Sequence, residues 1–402
     1  MATTVYDVTA WIIPGDPHTS AYSDIGKIIN SIIAHVKSEQ ADQSSRPGAV
    51  IYIPPGHYSL KTRVTIDISF LQIKGSGHGF TSLGIRYNTA DTSSWWEIWP
   101  GASHIRVENT DGNAEAFLVQ RSGSPRLSSV EFRDFCLDGV SFTPQENSYT
   151  NGKVGIRVAS DNDSFKVAGM GFVYLEHALV NNGADAFSVT DNFIAECGSC
   201  VELTGASQAS KVTSNHIGAG FVGFSVFAEG AEGLLVSGNN IFPRGRSVVH
   251  LKNSNRCVIT ANRFQAFYPG MIDMEGVNKE NLISSNHFYR LPENFTALQG
   301  NANGKDDLYG LVHVLGDNNM ISTNLFDFNV PDTSITPAGA TPTLILVSGG
   351  DANFISNNHC VTNLAANHVV LDASTTNTKV LDSGSASQIL SYTTNYTLRP
   401  TP

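Results

Sequence analysis

Long apolar runs are missing. No stretch of the 402 residues approaches 18 consecutive apolar side chains, so neither a membrane-spanning helix nor a membrane partner is expected. Basic charge is short as well. Lysine and arginine total 25 against 36 acids, a net charge of -11, and with no basic stripe to neutralise a phosphate backbone, nucleic acid is not an expected partner. The opening MATTVYDVTAW has no basic segment leading into an apolar one, which suits either a mature secreted chain whose signal peptide has been removed or a cytoplasmic chain. Cysteine is sparse and odd in number: Cys136, Cys197, Cys200, Cys257 and Cys360 are scattered, which speaks against a disulfide framework. Cys197-Gly-Ser-Cys200 has C-x-x-C spacing, but no second pair or nearby histidine completes a zinc site, so buried thiols are expected. GSGHGF (75–80) is followed by no Lys-Ser/Thr pair, and no metal-ligand spacing is present, so the expectation is no metal and no cofactor. Charged residues make up only 15%, which with 36 glycines points to strands and tight turns.

What the sequence does contain is a repeat. VTDNFI (189–194) returns as VTSNHI (212–217), VSGNNI (236–241), ITANRF (259–264), ISSNHF (283–288), ISTNLF (321–326) and ISNNHC (355–360). The asparagines Asn192, Asn215, Asn239, Asn262, Asn286, Asn324 and Asn358 are 23, 24, 23, 24, 38 and 34 residues apart. Between them recur VELTG, VVHLK, MIDME, LVHVL and TLILV, in which apolar and polar residues alternate as in a half-buried strand. A period of about 23 residues holds two or three short strands and leaves no room for a helix. That describes a coil of an all-β, single-stranded, right-handed parallel β-helix, with the asparagine at a bend where side-chain amides of successive coils stack in a ladder. The two long spacings mark insertions after Phe288 and Phe326, which a solenoid carries as loops.

Earlier segments fit the same architecture less regularly: FLQIKGSG, HIRVEN, VEFRDFCLDG and FKVAGMGFVYLEHA each carry a strand and a Gly or Asp turn. Residues 23–40 place Ile25, Ile28, Ile29, Ile32, Ile33 and Val36 at helical spacing behind a Ser-Asp cap. This helix is expected to cover the open first coil, because a bare solenoid end would expose an unpaired sheet edge. The expected organisation is one domain over 1–402, with coils from about 47 to 372 and a polar tail over 373–402.

Several polar residues compete for a functional role. Asp185 and Glu196 stand at the two ends of ADAFSVTDNFIAECG and are either turn carboxylates or a catalytic pair. Glu202 alternates with inward Val201 and Leu203, so it points outward; His250, Asp273 and His313 hold comparable positions on later coils. Together they would make a polar sugar-binding column or a plain solvated face. Trp95 and Trp96 would stack on a sugar or pack a loop, while Arg244 and Arg246 would bind hydroxyls or pair with carboxylates such as Glu232. Asp134, Asp138, Asp161 and Asp163 support a site or end strands.

PGAVIYIPPGHYSL (47–60) after the helix looks like the opening of many pectate-lyase-like β-helices. With GSGHGF, FRDFCLDGV, SDNDSF, GMGFVYLEHAL, GADAF, NFIAECGSCVELTGA and NNIFPRGRS, the chain resembles the inulin fructotransferases, which release difructose dianhydride from inulin chain ends, and their relatives that hydrolyse difructose anhydride III. The resemblance runs from Tyr6 to the RPTP end and is most specific over 161–205. It implies two acids eleven residues apart, which here are Asp185 and Glu196. It also implies no cofactor, a fructan or difructose anhydride substrate, and a homotrimer with active sites at subunit interfaces. The implied reaction is intramolecular fructosyl transfer, with dianhydride III favoured over I because NNIFPRGRS looks more like that branch. The alternatives are the hydrolase, which would yield inulobiose and act in the cytoplasm, and a non-catalytic polysaccharide-binding β-helix.

Overall fold

The structure is a computed structural model that describes the chain apart from residues 1–3, 41, 43–47, 80–100, 122, 124, 141–149, 160–161, 220–222, 243–246, 266–269, 290–309, 328–342, 362–367, 382, 386–396 and 400–402. Two compact units, Met1–Lys211 and Val212–Pro402, are each built of three-stranded coils. In the first unit, strands Leu71–Lys74, Glu131–Arg133, Lys166–Ala168 and Ser188–Thr190 pair in parallel as a first sheet. Gly56–Leu60, Ser103–Val107, Cys136–Asp138, Gly171–Val173 and Phe193–Cys197 form the second. Val64–Ile66, Glu115–Val119, Val154–Val158, His177–Asn182 and Ser199–Thr204 form the third. The second unit repeats the plan, for instance with Leu235–Ser237, Asn240–Ile241 and Ser247–Lys252 in one coil. Because each strand pairs with its counterpart one coil away, this is a parallel β-helix.

The repeat places the same side chain at the same point of each coil. Phe264, Phe288 and Phe326 stack inside the second unit with centroids 5.0 and 4.8 Å apart, and Phe165 and Phe187 do so at 5.3 Å inside the first. At the bend between first and second sheets, the asparagine is preceded by a left-handed residue in every repeat: Asp191, Ser214, Gly238, Ala261, Ser285, Thr323 and Asn357 have φ between 54° and 67°. That backbone costs a non-glycine residue about 1–2 kcal/mol, and the buried amides offset it. In the second unit Asn239 Nδ2 donates to Asn262 Oδ1 (2.9 Å), Asn262 to Asn286 (3.0 Å), Asn286 to Asn324 (3.1 Å) and Asn324 to Asn358 (2.9 Å). Asn239 and Asn262 are each 2% exposed, as a ladder requires. A second ladder, Asn281 to Asn319 to Asn353 at 3.0 and 3.1 Å, runs along another corner.

The N-terminal helix spans Ala21–Ser38, two residues earlier than the sequence pattern suggests, because Ser20 and Ser23 form a capping box. Asp24 still caps, but within the helix. Its backbone leaves the helical region (φ -160°, ψ 89°), and its carboxylate accepts from Gly26 N (3.1 Å), Lys61 N (3.1 Å), Thr62 N (3.2 Å) and Thr62 Oγ1 (2.6 Å). That pins the helix to the first coil. Its six predicted aliphatic residues are all buried, each contributing about 1.5–3 kcal/mol.

Candidate active site

Asp185 lies in the turn between His177–Asn182 of the third sheet and Ser188–Thr190 of the first. Asn181 closes that turn, accepting from Ala184 N and donating to Ala184 O, both at 2.9 Å. The next coil approaches from the other side: Gln208 N donates to Asp185 Oδ1 at 3.0 Å. Arg126 Nη2 donates to Asp185 Oδ2 at 3.2 Å and to Asn162 O at 2.8 Å, so one guanidinium ties the carboxylate to the backbone of the preceding coil. Both oxygens of Asp185 are therefore acceptors, and the side chain stays 32% exposed.

Glu196 belongs to the opposite corner, where the second sheet turns into the third. It is half-buried in Phe193–Cys197 with φ 48°. Tyr174, the residue in register with Glu196 one coil earlier, adopts the same left-handed conformation (φ 55°), so the strain at Glu196 is not peculiar to the acid. Cys197 beside it is buried, and burial pushes its thiol up to about 12, so it stays protonated. All five cysteines are free and buried.

The third-sheet face lies between these corners. Six residues of Ser199–Thr204, at about 3.3 Å each, separate Glu196 from the corner holding Asp185 by roughly 20 Å. The face between them is polar. His177 Nδ1 and Glu202 Oε2 are 2.6 Å apart, and that hydrogen bond raises His177 above the ordinary imidazole range. Arg157 Nε donates to Glu115 at 2.9 Å, and Asn182 Nδ2 to Thr204 Oγ1 at 2.8 Å. Glu202 thus points outward as its alternation predicts. Arg126 and Gln208 reach Asp185 only through the folded coil, as His177 reaches Glu202 and Arg157 reaches Glu115, and none of the four lies in the asparagine repeat that the sequence shows.

In the second unit His250, Asp273 and His313 do come together, on successive strands of the third sheet. They are 7%, 2% and 6% exposed, so they are not a ready solvent-facing column. His313 Nδ1 lies 2.8 Å from Asp273 Oδ1, while His250 Nδ1 lies 3.2 Å from Oδ2 but off the line of a hydrogen bond. Phe227 stacks on His250 at 5.4 Å. Glu232 pairs with Arg256, and Arg244 and Arg246 lie outside the described residues, as do Trp95, Trp96 and Asp161. Asp138 receives Val140 N (2.9 Å) and faces His104 Nε2 (3.0 Å), Asp134 takes a left-handed turn, and Asp163 bridges to Asp185. No group of three or more His, Cys, Asp or Glu among the described residues is arranged to hold a metal ion.

The structure defines a parallel β-helix with a polar third-sheet face, and comparison with known proteins gives its family. A family model described as the beta helix repeat of inulin fructotransferase matches residues 285–402, and one described as periplasmic copper-binding protein (NosD) matches 135–305. The inulin fructotransferase [DFA-I-forming] of Arthrobacter globiformis is 54% identical over 406 residues, covering 100% of both chains. Crystal structures of DFA-IIIase from Arthrobacter chlorophenolicus A6 are also similar throughout. The complex with DFA-III has 45% identity and a TM-score of 0.86 over 99% of each chain. The complex with GF2 has 48% identity and a TM-score of 0.86 over 100% of this chain and 99% of that one. The chain belongs to the inulin fructotransferase family.

Proposed function

We propose that the protein cleaves the terminal fructosyl units from inulin by intramolecular transfer and releases a difructose dianhydride. The observation that carries this reading is the placement of Asp185 and Glu196 at the two edges of one polar face, in a member of this family. Fructofuranosyl cleavage needs a proton for the departing oxygen and support for an oxocarbenium-like centre, which two acids supply. Glu196, half-buried, protonates the glycosidic oxygen. Asp185, with both oxygens held as acceptors by Arg126 and Gln208 N, receives the proton of the attacking fructose hydroxyl. Because that hydroxyl belongs to the same chain end, holding it against the anomeric carbon gives a large effective concentration over water.

Paired glycosidase carboxylates stand about 5 to 9.5 Å apart, far less than the roughly 20 Å across one third-sheet face. The working pair is accordingly Asp185 of one subunit and Glu196 of a neighbour, in a homotrimer whose head-to-tail contacts close into a ring. His177 and Glu202 then lie in the substrate cleft. The 54% identical relative is named as DFA-I-forming, which makes DFA-I the expected product in place of the dianhydride III suggested by the NNIFPRGRS segment. A polymeric substrate does not enter a cell, so this activity belongs to a secreted protein.

Incubation with inulin and, separately, with difructose anhydride III tests the reading. Dianhydride from inulin supports the transferase, and its chromatographic identity distinguishes I from III. Inulobiose from the dianhydride, with nothing from inulin, makes it the hydrolase, and no product from either removes the enzymatic reading.

A further inference from the structure

Three side chains in Val212–Pro402 stack one per coil. Asp273 comes from Ile272–Glu275, His313 from Val312–Leu315 and Ser348 from Ile345–Asp351, adjacent strands of the third sheet. His313 Nδ1 lies 2.8 Å from Asp273 Oδ1, and His313 Nε2 lies 2.6 Å from Ser348 Oγ. An imidazole held by a carboxylate at one nitrogen and a serine hydroxyl at the other is the arrangement that turns a serine into a nucleophile. Asp273 and His313 are 2% and 6% exposed, whereas Ser348 is only half-buried, so the hydroxyl end of the relay meets solvent.

The backbone gives a second, independent sign. Val314 pairs with Val347 but Leu315 pairs with Gly349, which leaves Ser348 as the extra residue of a β-bulge. Bulges are rare in parallel ladders and frequent beside active sites, where they re-aim a side chain. Leu346 is in register with His313, and Ser348, two residues on, shares its face of the strand and so turns toward that histidine. The following Gly350, at φ 107°, fixes the bulge against the coil before it: a Cβ there would stand 1.9 Å from Gly316 O. Glycine at 350 is thus what the geometry demands.

We propose that Ser348, His313 and Asp273 form a second catalytic site that hydrolyses short-chain carboxylic esters. Ser348 Oγ attacks the ester carbonyl carbon while its proton passes to His313 Nε2, and Asp273 steadies the imidazolium through Nδ1–H. Collapse of the tetrahedral adduct breaks the bond to the alcohol oxygen. That oxygen leaves with the proton from His313, and the acyl group stays on Ser348. Water then attacks the acyl carbon, gives a proton to His313, and Ser348 departs with that proton, so ester and water become acid and alcohol. The half-buried position of Ser348 suits a short acyl group. This chemistry does not use Asp185 or Glu196, so it stands apart from fructan cleavage.

The test uses the intact purified protein with 4-nitrophenyl acetate and, separately, a fluorophosphonate that modifies activated serines. The expected result is saturable ester turnover and one phosphonyl group per chain, found by mass spectrometry on the peptide containing Ser348. Ser348→Ala, which removes one oxygen from a half-buried side chain, abolishes the label and lowers turnover by about 10²-fold or more, with inulin turnover and the melting curve unchanged. Asp273→Asn slows phosphonylation while leaving Ser348 in place. Ester turnover that survives Ser348→Ala, or a wild-type chain that takes no phosphonyl group, overturns the proposal.

Discussion

The bend between first and second sheets is filled in two ways. In Val212–Pro402 it holds asparagine in coil after coil, each amide donating to the next. In Met1–Lys211 the equivalent places are taken by Phe135 and Met170, both 0% exposed, after the left-handed residues Asp134 and Gly169. Asn192 marks the change inside the first unit, where its Oδ1 accepts from Met170 N at 2.9 Å and its Nδ2 donates to Val167 O at 3.1 Å. Backbone geometry is common to both fillings. What differs is directionality: an amide fixes one coil against the next, while an apolar side chain supplies packing without specifying register. Asp185 and Glu196 flank Asn192, so the two acids stand where the apolar filling gives way to asparagine, ahead of the amide-to-amide ladder of Val212–Pro402.

The strongest way to break this division is at the acids. Glu196→Gln and Asp185→Asn keep shape and remove the ionisable group, so each is expected to cut inulin turnover by about 10²- to 10⁴-fold with urea unfolding unchanged. A variant that keeps more than about a tenth of wild-type turnover identifies its residue as a turn carboxylate. The ladder should behave oppositely. Asn262→Leu strands the amide of Asn239 and is expected to cost about 1–3 kcal/mol, seen as a lower urea midpoint, with turnover per folded protein retained. Met170→Leu at the apolar bend should cost under about 1.5 kcal/mol, and equal costs for the two would erase the distinction.

Two smaller effects sharpen it. Thr323 is a β-branched residue at φ 55°, so Thr323→Gly should relieve strain and stabilise by up to about 1 kcal/mol, measured by urea denaturation. A destabilised glycine variant would mean that the Thr323 hydroxyl, which donates to Ser322 O at 2.7 Å, matters more than the strain. His177 gives a pH dependence. Its folded pKa is raised by the Glu202 hydrogen bond, so its contribution is fully present below the unfolded value of about 6.5 and lost as pH rises through the raised one. Melting temperature should therefore fall more between pH 6 and pH 8 in wild type than in His177→Gln, and parallel curves would show that the pair contributes nothing.

The coil plan was legible because one rule acts at every turn. Asn239, Asn262 and Asn286 announce it at a period of 23 to 24 residues, and the strand between them shows its inward face by alternation. The second ladder carries a sequence signal of its own, since Asn281, Asn319 and Asn353 each stand five residues before a ladder asparagine. The first unit hides its period because Phe135 and Met170 share burial but no chemistry with Asn192. At the site, eleven-residue spacing picked out Asp185 and Glu196 through family likeness. Arg126 was invisible, because 59 residues separate it from the carboxylate it binds and the coils between them carry no counted repeat. His250, Asp273 and His313 were found as neighbours, yet their burial was not, since outward-facing strand positions are covered only when adjacent side chains close over them.

Pairing of the acids across two subunits is tested most directly by complementation. Asp185→Asn and Glu196→Gln proteins, each inactive alone, are unfolded, mixed in equal amounts and refolded, and mixed assemblies are verified by mass spectrometry before assay on inulin. If Asp185 of one chain works with Glu196 of the next, some interfaces in each mixed trimer carry both intact acids, and a substantial fraction of wild-type turnover returns. Mixed trimers that remain as inactive as either parent would place both acids of each site on one chain and contradict the account.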